Sequence, residues 1–544
     1  MTEAPNDLEK GIDEAAYLKG LTLLLLVLFA FVLIRTAWIS DDACITFRTV
    51  DNFVNGYGLR YNPAERVQTY THPLWMFCLS TVRVLTNRLY YATVALSILL
   101  SIWAVAWVAI RVASSTISGL LALVLLISSK AFVDYSTSGL ENPLTHLLLA
   151  YAFWIYLRSE ADRKNLLLLS FTSSLVAVNR LDALVLVLPM LAYSTFRYRR
   201  LSGILWVGLG FLPLICWEVF SVLYYGFPFP NTAYAKLHTG IPGLRLAKQG
   251  ALYFLDSLDQ DPLTLLAIAA AVIFSFLLKD RQLRWASLGV VFYLLYIVKI
   301  GGDFMSGRFF TAPFFLSVLV LSRLPAPTRK ALAMLPASLI LVLGLAASTP
   351  NLLSNGRLDW NAETDRFNKG IADERKFYFQ RTGLLIVERG WEMPDKGGRE
   401  AREMGPGVEV KTTLGFYGYH AGPDRHLVDI WGIADPLIAR LPTYGATQWT
   451  NRIGHFTREI PEGYIETLET GVDSFKDRDL AEFYEDLKVI TQDPVFSWNR
   501  MRTIWNMNRG AYDELIDRER YMWPSNEGLL EPEEISDDEG GIGK

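Results

Sequence analysis

The sequence predicts an α-helical polytopic membrane protein of about eleven transmembrane helices, followed by a C-terminal extracytoplasmic mixed α/β domain. Three observations carry this. The chain is 51% hydrophobic over 544 residues, with positive mean hydropathy, more apolar than is usual for a soluble protein of that length. Apolar runs follow one another up to about residue 348, after which the composition turns mixed and polar. Lys/Arg clusters fall on alternate connections, as positively charged cytoplasmic loops do.

A helix needs about 20 apolar residues to cross a bilayer, fewer where neighbours shelter its ends. Spans are read near 18–38, 91–111, 115–130, 143–157, 166–178, 182–196, 203–225, 262–278, 285–299, 308–322 and 331–348. The run Leu21–Ile34 has no small-residue cleavage site behind it and is expected to stay as a signal anchor. Arg111, then Arg158, Arg163 and Lys164, then "RYRR", "KDRQLR" and "RLPAPTRK" define the cytoplasmic side. The N-terminus is then inside, and the loop 41–90 and everything after residue 348 lie outside. Pro73–Asn87 is apolar enough for another pass, but counting it would send every basic cluster outward. It is expected to be an interfacial or re-entrant helix.

The chain thus divides into a membrane domain over 1–348, a soluble domain over 349–523 and an acidic, Gly-rich tail over 524–544, expected to be disordered. "RTGLLIVERG" and "GVEVKTTLGFYGYH" predict strands, and "SFKDRDLAEFYEDLKVI" a helix. The net charge of −4 averages two unlike halves and offers no nucleic-acid surface. Cys44, Cys78 and Cys216 all lie in the membrane half, so disulfides cannot hold the soluble part, and no zinc-type spacing occurs.

Ionisable and polar residues gather on the predicted outer face: Asp41, Asp42, Tyr70 and His72; Asp134 and Glu141; Arg180 and Asp182; Asn231 and Lys236; Asp303 and Arg308. Such groups are costly at membrane depth and mark functional cavities. Carboxylates mixed with Arg and Lys suit a site for a sugar and a phosphate. A carboxylate within reach of a sugar hydroxyl can take its proton. Adjacent acids on a helix point in different directions, so Asp41 and Asp42 have separate expected roles. One faces the acceptor; the other orients an Arg, holds a metal or caps a helix, for which Ser40 and Asp41 are good residue types.

In "KIGGDFMSGR", Gly301 and Gly302 permit close backbone approach, Arg308 suits a phosphate, and Asp303 suits a sugar hydroxyl or Arg308 itself. Lys236, after "YYGFPFPNTAY", is either a point charge for phosphate or a lysine snorkelling from an aromatic belt. Trp391, Tyr417, Tyr419, Trp431 and Trp449 suit stacking on an acceptor glycan, or packing inside a cap over the membrane domain. His146 reads as a core residue, and His420, His426 and His455 have no metal spacing.

Taken in order, "DDA", "YTHPLW", "TSGLE", "NRLDA", "YGFPFPNTAYAK" and "GGDFMSGR" resemble a GT-C glycosyltransferase, and most closely the mycobacterial terminal β-(1→2) arabinofuranosyltransferase group. "GYHAGPDRHLVDIWGIADPLIARLP" and "RIGHFTREIPEGYIETL" are similar to that group's soluble domain, so the resemblance runs from about Ile39 to about Leu468. It implies a GT-C membrane fold with catalytic acids on the first outer loop, in a bacterial plasma (inner) membrane. It also implies inverting transfer, outside the cytoplasm, of one sugar from a polyprenyl-phosphate donor to a cell-envelope glycan.

On this reading Asp41 or Asp42 is the base. Arg308, Lys236 and Arg180 stabilise the leaving phosphate, and Tyr70 and His72 line the sugar pocket with Glu141, Asp182, Asn231 and Asp303. No organic cofactor is required; a divalent cation is compatible with the acids, but no ligand set singles one out. Arabinofuranose is what the nearest relatives suggest. Other relatives of this type move other sugars onto surface polysaccharide, lipopolysaccharide or protein. A flippase for lipid-linked sugars is the non-enzymatic alternative.

Overall fold

The computed structural model describes residues 5–158, 162–198, 202–237, 239–325, 330–354, 369–388, 390, 393–443 and 452–522. Trp391, Trp449 and the tail 524–544 lie outside them. Every one of the eleven apolar runs is helical. The first helix, α1 (Pro5–Thr36), leaves Leu23, Leu24, Val27 and Phe31 exposed and buries Phe29, Val32 and Leu33. An exposed apolar stripe beside a buried one is what a peripheral helix of a membrane bundle presents to lipid.

Among the described residues, four helices are long and apolar enough to cross a membrane: Ala16–Thr36, Leu89–Val112, Leu181–Tyr198 and Arg281–Ile300. Counting two bent pairs as one span each raises this to six. The expectation of eleven crossings therefore exceeds what the lengths support, for a geometric reason. At 1.5 Å per residue the 16 residues of Asn142–Leu157 reach about 24 Å, and the 11 of Thr311–Leu321 about 17 Å, against a core of about 30 Å. Both helices bury nearly every side chain, so they serve as the centre of the bundle.

The linker after α1 leads into α2 (Asp41–Val54), whose N-terminus is closed by Ser40: its Oγ accepts the Ala43 N–H at 3.3 Å. The segment expected to be interfacial is α3 (Pro73–Thr86), started by a proline at its first position and stopped by Asn87 in the left-handed conformation. Its 14 residues are too few to cross alone.

The C-terminal region combines helices with little sheet, and the strand expected in "GVEVKTTLGFYGYH" is present. Among the described residues its only sheet is two parallel strands, β1 (Gly407–Lys411) and β2 (Arg425–Asp429), with Gly407 opposite Arg425. The helix expected near residue 480 is present, Arg478–Gln492. Among its described residues, "RTGLLIVERG" forms no strand. Thr382 closes the helix Glu374–Thr382, and its Oγ donates to Ile39 O at 2.8 Å, while Leu384 N donates to Ala37 O at 3.0 Å. Leu384, Ile386 and Val387 of this run pack, partly buried, against the main core, while Leu385 is exposed.

Nor is the C-terminal chain an independent lobe. Ile371, Phe379, Met393 and Phe416 belong to the same core as the bundle. Phe227 joins Val428, Leu487 and Tyr521 in a second core. Arg500 ties the two parts by donating to the carbonyls of Leu223 (2.7 Å) and Tyr224 (2.8 Å).

Candidate active site

The acid doublet begins α2, and its two carboxylates do different things. Asp41 accepts the Phe416 N–H at 2.7 Å and the Gly415 N–H at 3.2 Å, so it anchors the C-terminal chain. Gly415 is required there, since a Cβ would come within 2.0 Å of Asp41 O. Burial pushes the Asp41 carboxyl up to about 7, against the pull of those two amides. Asp42 is left facing the site: its side chain is 35% exposed, and Oδ2 lies 3.8 Å from Arg308 Nη1.

Arg308 is the hub. Besides Asp42, its guanidinium lies 3.7 Å from Asp303 Oδ2 and 3.6 Å from Glu141 Oε1. None of the three carboxylates is in hydrogen-bond contact with it, and its buried Nε has no hydrogen-bond partner. A guanidinium surrounded at this distance has donors free for an incoming anion.

The loop that carries it is fixed by its backbone. Gly301 and Gly302 both take positive φ, +88° and +77°, so the helix Arg281–Ile300 ends abruptly. Tyr253 Oη donates to Met305 O at 2.9 Å and accepts the Phe309 N–H at 3.1 Å. Residues 304–306 also pair with Ala372, through Ala372 N to Phe304 O at 2.7 Å and Ser306 N to Ala372 O at 2.9 Å.

Behind Arg308 stands a largely buried relay. Glu141 holds Arg180, which in turn grips Asp182 through Nε at 2.9 Å, and Tyr293 donates to Asp182. The cationic surroundings hold the Glu141 carboxyl well below the usual range despite its burial. His72 Nδ1 lies 3.3 Å from Glu141 Oε2, and its Nε2 lies 2.9 Å from Thr46 Oγ1. Burial lowers His72 to about 4, so the ring is neutral.

Lys236, exposed at the end of its short helix, lies within electrostatic reach of Asp303, Asp42, Arg308 and Arg180. The structure therefore gathers Asp42, His72, Glu141, Arg180, Asp182, Lys236, Asp303 and Arg308 around one centre.

Three predicted residues have other work. Tyr70 turns into the core, its hydroxyl 2.8 Å from that of Tyr225, and does not line the site. Asn231 directs its amide to the carbonyls of Gly432 (2.8 Å) and Asp435 (2.9 Å), and its Oδ1 accepts from Arg440, so it shapes a C-terminal loop. Asp134 joins a separate buried cluster in which it pairs with Lys130 and Arg375, while Lys130 reaches Asp373 at 2.9 Å. Of the described aromatics proposed for stacking, Trp431 approaches the site: His455 packs edge-on between it and Phe304 beside Asp303, with centroids 4.4 Å from each. Tyr417 donates to Glu409, and Tyr419 packs on Phe47.

Sequence reading missed Glu374 and Tyr378. Glu374 is buried in the field of Asp42, Asp41 and Asp303, and burial pushes its carboxyl up to about 8. Tyr378, one turn later, stacks on Trp38 just before the doublet. Asp373–Glu374 is itself an acid pair at a helix start, as Asp41–Asp42 is, and that repeated pattern was the available signal. Among the described residues, no group of three or more His, Cys, Asp or Glu is arranged to hold a metal ion.

No protein-family model matches the chain. Two curated relatives do. The terminal β-(1→2)-arabinofuranosyltransferase of Mycobacterium tuberculosis is 26% identical over 81% of this chain and 84% of its own length. The protein of the same name from Corynebacterium glutamicum is 28% identical over 53% of this chain and 48% of its own length. Among solved structures, ArnT from Cupriavidus metallidurans bound to undecaprenyl phosphate covers 75% of this chain and 85% of its own, with TM-score 0.44 and 11% identity. The archaeal oligosaccharyltransferase AglB from Archaeoglobus fulgidus, in complex with an inhibitory peptide and a dolichol-phosphate, covers 77% of this chain and 65% of its own, with TM-score 0.43 and 11% identity. The resemblance carried by the sequence motifs is thus the one its curated relatives bear, and the chain is similar over most of its length to enzymes named terminal β-(1→2)-arabinofuranosyltransferases.

Proposed function

We propose that this protein is an inverting glycosyltransferase that moves a single sugar, arabinofuranose by preference, from a polyprenyl-phosphate donor to a cell-envelope glycan on the extracytoplasmic face. The observation that supports it most is the pairing of Asp42 with Arg308: a carboxylate open to the site beside a guanidinium with unused donors. Similarity to the two arabinofuranosyltransferases supports the sugar and the reaction class.

In this reading the polyprenyl tail stays in the bilayer and its phosphate rests against Arg308 and Lys236. Asp42 takes the proton of the acceptor hydroxyl. The hydroxyl oxygen attacks the anomeric carbon from the face opposite the phosphate, and the bond from that carbon to the phosphate oxygen breaks. Its electron pair leaves with polyprenyl phosphate, whose charge the two cations neutralise. Glu141 pairs with both Arg308 and Arg180, and the neutral His72 ring lies beside Glu141. No organic cofactor enters, because polyprenyl phosphate is already a competent leaving group.

The test is a donor screen with the purified full chain and defined polyprenyl-phosphate sugars, scored as product on an arabinan acceptor. Transfer of arabinofuranose with inverted configuration is expected. Transfer of a pyranose instead would change the sugar and keep the reaction. Movement of labelled donor across vesicles without product would overturn the enzyme reading in favour of a flippase.

A further inference from the structure

Two of the basic connections, Arg197 and "DRQLR" at residues 280–284, converge on one cavity of about 550 Å³ between the helices Leu184–Tyr198, Pro262–Leu277 and Arg281–Ile300. It sits at the far end of two helices whose other ends carry Arg180, Asp182 and Asp303. At 1.5 Å per residue along Leu184–Tyr198, roughly 20 Å of helix separates it from the candidate active site.

Its walls combine two chemistries. Trp285 and Tyr193, with ring centroids 5.8 Å apart, contribute apolar lining, and Phe196 and Phe276 line it while exposed to the surroundings (72% and 45%). Arg197, Arg281 and Arg284 supply three guanidinium groups, and no acid among the described residues lines the cavity. The nearest acid along the chain, Asp280, uses Oδ1 to accept the N–H groups of Gln282 (2.8 Å) and Leu283 (3.1 Å). Arg284 donates one Nη to Phe276 O at 3.1 Å, while its Nε is buried without a hydrogen-bond partner.

Simple snorkelling would take each arginine outward to water separately. Here residues far apart in sequence bring three guanidinium groups to one lipid-facing recess with an aromatic lining. A headgroup phosphate with acyl or prenyl chains lying on Phe196 and Phe276 satisfies both chemistries. We propose that this cavity is a binding site for a lipid-borne phosphate, separate from the donor site, and that an anionic bilayer phospholipid occupies it.

Native mass spectrometry of the detergent-solubilised full chain tests this, with phosphatidylglycerol, phosphatidylcholine, a polyprenyl phosphate and inorganic phosphate titrated in turn. Phosphatidylglycerol is expected to bind at least ten-fold more tightly than phosphatidylcholine. At about five-fold per arginine near an anionic surface, the triple variant Arg197→Gln, Arg281→Gln, Arg284→Gln loses roughly a hundred-fold in that affinity. Single substitutions, each losing about five-fold, decide the matter if the triple variant does not fold.

A loss confined to polyprenyl phosphate keeps the site and names the other lipid as its occupant. Equal binding of both lipids by wild type and variants overturns the site. Saturation by inorganic phosphate at the same concentrations overturns a lipid ligand.

Discussion

The carboxylate of Asp42 lies 3.8 Å from the guanidinium of Arg308, although one begins the second helix and the other lies beyond the Gly301–Gly302 turn. Its neighbour Asp41 makes no such approach and grips the amides of Gly415 and Phe416 instead. On the proposed function the doublet divides into a reacting acid and an anchoring acid, and substitutions should separate them. Asp42→Asn is expected to lower transfer by a hundred- to ten-thousand-fold with an unchanged unfolding temperature. Asp41→Asn should weaken two charge-assisted hydrogen bonds, about 1–3 kcal/mol in all, and act first on stability. Equal effects of the two on turnover, measured with purified protein, would remove this division of labour.

Arg308→Gln should cost a hundred- to a thousand-fold in kcat if its guanidinium meets the departing phosphate. Arg308→Lys keeps the charge but not the planar fork, and should recover part of that loss. Steady-state kinetics against donor concentration distinguish this from a change in folding, which would reduce the active fraction without altering the donor KM.

Gly302 has φ +77°, and a Cβ there would meet Tyr253 Cβ at 2.6 Å. Gly302→Ala thus combines left-handed strain of about 1 kcal/mol with a collision against the side chain that holds the loop. At least a ten-fold loss of transfer is expected, because Asp303 and Arg308 move with that loop. An alanine variant with full activity and unchanged donor KM would show that the loop tolerates displacement.

Stability should fall as pH rises from 6.5 to 8.5. The folded-state carboxyls of Glu374 and Asp41 are raised to about 8 and about 7, so the folded protein holds protons that the unfolded chain has released. That contribution is complete below the unfolded values and is lost as pH passes through the folded ones. His72 and His426, both lowered to about 4, act in the opposite sense between about 4 and 6.5. Above 6.5 they are neutral in both states and the carboxyl slope stands alone. Thermal unfolding across this range should show a falling midpoint in wild type and a flatter profile in Glu374→Gln.

Lys130, Asp134, Asp373 and Arg375 form a buried alternation of charges that pins the C-terminal chain to the bundle. Asp134→Ala leaves Arg375 buried without its carboxylate and should destabilise by about 3–5 kcal/mol. The unfolding midpoint reads this directly, and a neutral result would mean that water enters to replace the lost partner.

Much of the fold was legible because it depends on local quantities. All eleven apolar runs are helical, the one at 203–225 as two helices bent by 56°, since a stretch of that composition satisfies its backbone internally whatever its neighbours are. Which of them cross was less legible: the short helices 142–157 and 311–321 owe their place to surrounding helices rather than to length. The strand expected at "RTGLLIVERG" did not form; Leu384, Ile386 and Val387 pack from turns against the main core instead.

Residue chemistry along the chain by itself determined the kind of protein and the groups available for catalysis: the acid doublet, the glycine-flanked Asp303 loop and the basic connections. The tertiary structure decided their assignments, because a side chain's role depends on partners far away in sequence. Gly415 and Phe416 take Asp41, Tyr225 takes Tyr70, and loop 432–435 takes Asn231. Glu374 reaches the site because Ala372 pairs with the loop that holds Arg308, a contact no local pattern encodes.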